Sequence, residues 1–199
     1  MKRKIVSLLL LIVTVLTLPL ALSSCTKKFY YVKMEVRDYG TVIMCLDTEN
    51  APITVKNFVK LVKSGFYDGL TFHRVMENFM IQGGDPKGTG GGGSGKTIKG
   101  EFAANGHQNN IPHEYGVVSM ARGNGYDSAS SQFFICNTEE RAYIEHLDGL
   151  YAAFGWVVEG MEVVDAITEQ TSIYAVDGVI EDATKRAVIE RMSVINYKK

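Results

Sequence analysis

Apolar and polar positions change period several times along this chain, and each change marks an element. Two-residue alternation over Tyr30–Val36 and Thr41–Leu46, separated by Asp38-Tyr39-Gly40, predicts two strands joined by a turn. From Ala51 to Ser64 the period lengthens. Val55, Phe58, Val59 and Val62 recur at spacings of three and four, and Gly65 follows as a stop signal, so this segment is predicted to be an amphipathic helix. Short apolar runs return at Thr71–Val75, Met80–Gly83, Gly116–Met120, Gln132–Cys136 and Ala153–Val158, each read as a strand. A second helix is expected near Met161–Glu169, with Val163, Val164 and Ile167 as its buried stripe. An alternating strand, Ala187–Tyr197, closes the chain, and the polar stretch Gln170–Arg186 before it reads as a loop. Two helices among many short strands with Gly-rich turns indicate a closed, mostly antiparallel β fold. Periodicity alone does not separate a barrel from a sandwich.

The first residues have a different character. Met1-Lys2-Arg3-Lys4 precedes an apolar run from Ile5 to Leu22, and Leu22-Ser23-Ser24-Cys25 follows. A basic start, an apolar run and small residues before a cut are the marks of an export signal. Pro19 near the end of the run favours cleavage over an uncleaved membrane anchor. The tetrapeptide resembles a bacterial lipobox, which implies lipid attachment at Cys25 and an extracytoplasmic, membrane-anchored product. The expected organisation is a cleaved signal at 1–24, a lipid-anchored tether at 25–30 and one domain at 31–199. Loss of the leader takes the basic residues from 21 to 18 against 22 acidic ones, a net charge of −4. That balance argues against nucleic acid as a partner. Cys45 and Cys136 each lie in an apolar strand-like run and are expected as buried free thiols, although an oxidising compartment would permit pairing.

Two segments carry polar groups in an otherwise apolar setting: Phe72–Asp85, FHRVMENFMIQGGD, and Ser131–Cys136, SQFFIC. Alternation on a strand would put Phe72, Arg74 and Met76 on one face, and Met80 with Gln82 on one face. A few directed polar groups beside an aromatic surface suggest a ligand site. The ordered set FHR, FMIQGGD and SQFFI resembles the cyclophilin family of peptidyl-prolyl isomerases, and the resemblance runs from about Val36 to Tyr197. It implies an eight-stranded antiparallel barrel, closed, packed solid and capped by a helix at each end, with substrate bound outside.

The resemblance also assigns roles. Arg74 matches the arginine that stabilises the twisted proline amide. Gln82 matches the glutamine that holds it, and Phe79 is grouped with these two as catalytic. Phe79, Met80, Phe134 and Leu147 match the proline-ring pocket, and Gln132 the groove lining. Ala121-Arg122-Gly123 match the segment that binds the preceding residue through its backbone. Arg122 stands where Asn is common, which leaves a main-chain contact intact. His146 replaces a usual Trp or Phe and Tyr151 a usual His, so cyclosporin binding is expected to be weak. No cofactor or metal is called for. The partners implied are proline-containing unfolded or newly exported polypeptides, met by a monomer. A peptide-binding chaperone with little turnover is the alternative within the fold.

One motif points elsewhere. Gly90–Thr97, GGGGSGKT, satisfies the phosphate-loop pattern G-x-x-x-x-G-K-[ST]. Its mechanism needs a strand before the loop and a helix after it. Here turn sequence precedes it and Gly100 follows, and five glycines in positions 90–95 meet the pattern trivially. It is therefore read as a surface loop rather than a nucleotide site. His73 is expected to be structural, and His107 and His113, in GHQNNIPHEYG, to be surface residues.

Overall fold

The computed structural model describes residues 28–198. The leader, Cys25 and the first half of the tether lie outside them. In chain order the elements are β1 (Phe29–Val36), β2 (Gly40–Asp47), α1 (Pro52–Lys63), β3 (Arg74–Met76), β4 (Met80–Gly83), β5 (Val117–Met120), β6 (Phe133–Cys136), β7 (Ala153–Glu159), α2 (Met161–Thr171) and β8 (Ile189–Ile195). The strands form one sheet in the order β3-β4-β6-β5-β7-β2-β1-β8, and each neighbouring pair is antiparallel.

The sheet curls, but it is open rather than the closed barrel expected. β3 holds only three residues and does not pair as a ladder with β8. The backbone around Leu70 and Phe72 spans the gap instead, through an isolated bridge from Thr71 to Val188. Single bonds reinforce it: Phe72 N–H donates to Ala187 O at 3.0 Å and Ile189 N–H to Leu70 O at 2.8 Å. Because residues 72 and 73 leave the strand path, Phe72 does not share a face with Arg74. It turns into the core while Arg74 stays half-exposed on the outside.

Helix α1 begins with Pro52, whose missing N–H costs nothing in a first turn. Its free N–H groups at Ile53 and Thr54 are taken by the buried Glu101 carboxylate, at 2.9 and 2.8 Å. A cap from a segment 47 residues away is stabilised by the helix dipole and ties that segment to the core. Val55, Phe58, Val59 and Val62 then pack inward. Phe58 meets Tyr67, Phe133 and Phe154 at centroid distances of 4.9–5.4 Å.

β6 explains its own composition. Phe133 and Ile135 enter this main core, whereas Phe134 and Cys136 face the other way into a second, smaller cluster with Met80, Ile144 and Leu147. Both faces of the strand are buried, so alternation is lost and the sequence reads as a continuous apolar run. Cys45 and Cys136 are free and buried. β7 and β5 lie between their strands, so three steps of ~4.8 Å hold them ~14 Å apart, beyond disulfide reach.

Candidate active site

The second cluster forms the floor of a cavity of about 120 Å³, lined by Arg74, Phe79, Met80, Gln82, Ala121, Arg122, Phe134, Leu147 and Tyr151. At ~30 Å³ per water this is room for about four waters, or one small ring. A second hollow of about 280 Å³ adjoins it, sharing Gln82, Ala121 and Arg122 and continuing past Gly90–Gly92 to Gln132. A larger hollow beside Tyr30 and the lysines of α1 contains none of these residues.

Strand register assembles the polar side. Arg74 on β3 lies opposite Gln82 on β4, and Gln82 lies opposite Phe134 on β6. Gln82 Oε1 accepts from Arg74 Nη1 at 3.4 Å, and its Nε2 donates to Gln132 Oε1 at 2.8 Å. Gln132 Nε2 in turn donates to the carbonyls of Gly90 and Gly92, at 2.9 and 2.8 Å. This relay fixes every amide orientation from the glycine loop to Arg74. The guanidinium is half-buried and lies 5.8 Å from the Phe79 ring centre. Burial lowers its pKa from the usual arginine value, yet an arginine stays charged throughout. Among the described residues no carboxylate pairs with it. A desolvated cation facing a cavity without a counter-ion is a set of hydrogen-bond donors held ready for something else.

The remaining walls are held from behind. Phe79 is fixed by Asn137, whose Oδ1 accepts from its N–H at 2.9 Å. Tyr151 meets Phe134 edge-on at 6.0 Å, and the Arg122 guanidinium lies 4.7 Å from the Tyr151 ring centre. Arg122 therefore contributes a side chain to the wall, besides the main-chain contact expected of it. His146 is exposed at the rim and stacks on Phe79 at 5.9 Å.

His113 is not the surface residue the sequence suggested. It is 1% exposed and lies parallel to the Phe134 ring at 6.0 Å, behind the cavity. Its Nδ1 bonds Asp148 at 2.8 Å and its Nε2 bonds Ser119 Oγ at 2.9 Å. Asp148 also accepts from Arg141 Nη2 at 2.6 Å. Burial lowers the His113 pKa, with Asp148 only partly opposing it. Met76, expected on the same face as Arg74, places its sulfur 3.0 Å from Arg74 Nη2; His113 and Asn137 were missed in the sequence. These two support walls from outside the motifs that define them, and only the short distance from His113 to the strand VVSM hinted at this. His107 is tied to Asn50 O at 2.8 Å, and among the described residues no group of three or more His, Cys, Asp or Glu is placed to hold a metal.

The glycine loop cannot cradle a phosphate. The Asp85 carboxylate already accepts from the N–H groups of Lys87, Thr89, Gly90 and Gly92, at 2.7–3.1 Å. Irregular backbone, not a helix, follows Thr97. The loop lies at the surface, as expected, with Gly95–Thr97 exposed and Gly90–Gly92 lining the groove. Gly84 anchors its approach: its φ is +84°, and a Cβ there would lie 2.5 Å from Ser131 O.

Comparison with known proteins agrees with this geometry. The family model described as cyclophilin type peptidyl-prolyl cis-trans isomerase/CLD matches residues 31–194. Peptidyl-prolyl cis-trans isomerase B of Bacillus subtilis is 51% identical over 114 residues, 57% of this chain and 73% of that protein. A peptidyl-prolyl cis-trans isomerase of Synechococcus elongatus is 43% identical over 146 residues, 72% of this chain and 92% of its own. The crystal structure of a Cryptosporidium parvum cyclophilin type peptidyl-prolyl cis-trans isomerase superposes with a TM-score of 0.72 at 27% identity, covering 85% of this chain and 99% of that one. A second structure of that protein was obtained in the presence of the dipeptide Ala-Pro.

Proposed function

Since the chain belongs to the cyclophilin type peptidyl-prolyl cis-trans isomerase family, we propose that it accelerates X-Pro rotation in newly exported polypeptides while anchored to a membrane by lipid on Cys25. The observation that carries the reading is Arg74, a half-buried guanidinium with no carboxylate partner among the described residues, on the lip of a ring-sized apolar cavity.

The barrier to be lowered is about 18–20 kcal/mol, because twisting the amide destroys its resonance. Uncatalysed exchange takes tens to hundreds of seconds. Each tenfold acceleration requires about 1.4 kcal/mol of preferential binding to the twisted state. As the amide twists, its nitrogen becomes pyramidal and gains a localised lone pair. Arg74 donates to that developing acceptor, and Gln82 keeps the guanidinium aimed. Phe79, Met80, Phe134 and Leu147 grip the proline ring, while Ala121, Arg122 and Gln132 hold the preceding residue, so that one side of the bond turns against the other. No bond is made or broken, and no proton moves.

Only Thr26 and Lys27 lie between Cys25 and the first described residue, Lys28. At ~3.5 Å per residue the domain would sit within about 10 Å of the bilayer. A protease-coupled assay on a short X-Pro peptide tests the enzyme reading, and exchange left at its uncatalysed rate would sink it. Lipid labelling of wild type but not Cys25→Ala tests the anchor.

A further inference from the structure

The segment after α2, a polar loop by its sequence, is not a slack connection. A 3-10 turn at Ser172–Tyr174 leads into a miniature hairpin. Val176 and Val179 exchange both backbone bonds at 2.9 Å, and Asp177 and Gly178 between them have φ of 52° and 82°. Two consecutive positive φ values, filled by Asp-Gly, make the two-residue turn whose twist suits a hairpin. The hairpin lies along the free edge of β3. Val179 bridges Arg74, Val75 N–H donates to Gly178 O at 2.8 Å, and Ile180 N–H donates to His73 O at 3.0 Å. A Cβ on Gly178 would meet Met76 Cγ at 2.6 Å and Arg74 Nε at 3.5 Å. The hairpin therefore pairs with the backbone of Arg74 and leaves no room for a larger side chain at 178 beside the guanidinium on which the proposed reaction depends.

Edge strands are commonly protected by charge or by a covering segment. This edge is covered, but the cover turns apolar side chains to water: Ile173 is 72% exposed, Val176 70%, and Tyr174 and Val179 are also exposed. The other exposed large hydrophobics, such as Ile53, Tyr126 and Tyr143, come from separate segments. A cluster within seven residues of chain, on a hairpin paired to the strand that carries Arg74, is the pattern of a contact surface.

We propose that this hairpin extends the substrate groove and holds apolar residues of an unfolded polypeptide a few positions from the proline. The proposal rests on the isomerase reading for its site. A chain lying in the cavity and passing Arg74 meets the hairpin next, because Val179 bridges Arg74 itself. The client it fits is an unfolded segment with exposed Leu, Val or Ile near its prolines, not a proline in a polar linker.

The test compares the full chain in lipid nanodiscs with the double variant Ile173→Ser/Val176→Ser. Both substituted side chains are exposed and lie outside the cavity lining. Three probes are used: a tetrapeptide containing X-Pro, a twelve-residue peptide with Leu and Val on both flanks of the proline, and its Ser-flanked twin. Wild type should bind the apolar twelve-mer about tenfold more tightly than its twin, as ~55 Å² of apolar surface leaves water. The double variant should lose that preference and turn over the tetrapeptide as before. Equal Kd for the apolar peptide in wild type and variant overturns the proposal. So does a variant that changes only self-association in sedimentation, since the patch would then serve a second copy. Peptide Kd is read without turnover, so an inactive wild type would refute the isomerase reading while the hairpin is still judged by its own result.

Discussion

His113 offers a test of the framework behind the cavity, because its two neighbours argue for opposite protonation states. Asp148 at 2.8 Å would favour an imidazolium. However, that carboxylate is already neutralised by Arg141 at 2.6 Å, Nε2 faces a hydroxyl, and the ring is buried. Desolvation wins, and the His113 pKa falls below the ordinary value of 6.5. His73, also buried, moves the same way for the same leading cause. A histidine whose pKa is lowered by folding binds its proton more readily in the unfolded chain. Its contribution is therefore complete above pH about 6.5 and is lost as pH falls below it. Between pH 7.5 and 5.5 each such histidine can cost at most about 1.4 kcal/mol, and the pair at most about 2.7. Against a total stability of roughly 5–15 kcal/mol this is easily measured. Urea unfolding of wild type and His113→Gln at pH 7.5, 6.5 and 5.5 should show wild type losing more stability than the variant, by up to about 1.4 kcal/mol. If instead the variant is the more acid-sensitive of the two, His113 carries a proton in the fold, and the assignment of a neutral ring is wrong.

Three further outcomes follow from the site. Arg74→Ala should lower kcat/KM by tens- to a thousandfold, about 2–4 kcal/mol, with little change in urea midpoint; unchanged activity would refute the mechanism. Phe134→Ala should raise KM and cost roughly 3–5 kcal/mol at most, since it opens the small core and unstacks His113; a neutral urea midpoint would contradict that packing. His146→Trp should tighten cyclosporin inhibition at least tenfold, because a ring of larger area would stack at the Phe79 rim, while short proline peptides are turned over nearly as before; equal inhibition constants would show that residue 146 does not set sensitivity.

Much of the frame was legible because its signals are local. The 3.6-residue period over Val55–Val62 gave α1 within a residue at each end, and Met80–Gly83 is a strand with the bounds expected. The cavity lining was named from the resemblance, and in the fold strand register sets Arg74 opposite Gln82 and Gln82 opposite Phe134. What could not be read depends on tertiary context. Phe72 was placed with Arg74 by alternation, but alternation holds only while the backbone stays extended. His113 sits in a stretch of polar residues and turns, and only the fold shows that Asp148, 35 residues later, satisfies it in the interior. Val176 and Val179 belong to two short apolar runs, Ile173–Val176 and Val179–Ile180, broken by Asp177-Gly178 and too short to register as strands. Their pairing is evident only from the Asp177-Gly178 turn and the edge of β3 beneath it.

The outward-facing position of the cavity sets which prolines can be served. Its floor comes from the outer faces of β4 and β6, and the adjoining hollow prolongs it into a trough along the sheet surface. Nothing in that shape asks for a chain terminus. A polypeptide can be laid in sideways at any slack stretch, turned about one bond, and lifted out with both ends still engaged elsewhere. The relevant property of a client is then its local slack around each proline rather than its length, and a chain with several prolines can be visited at each in turn.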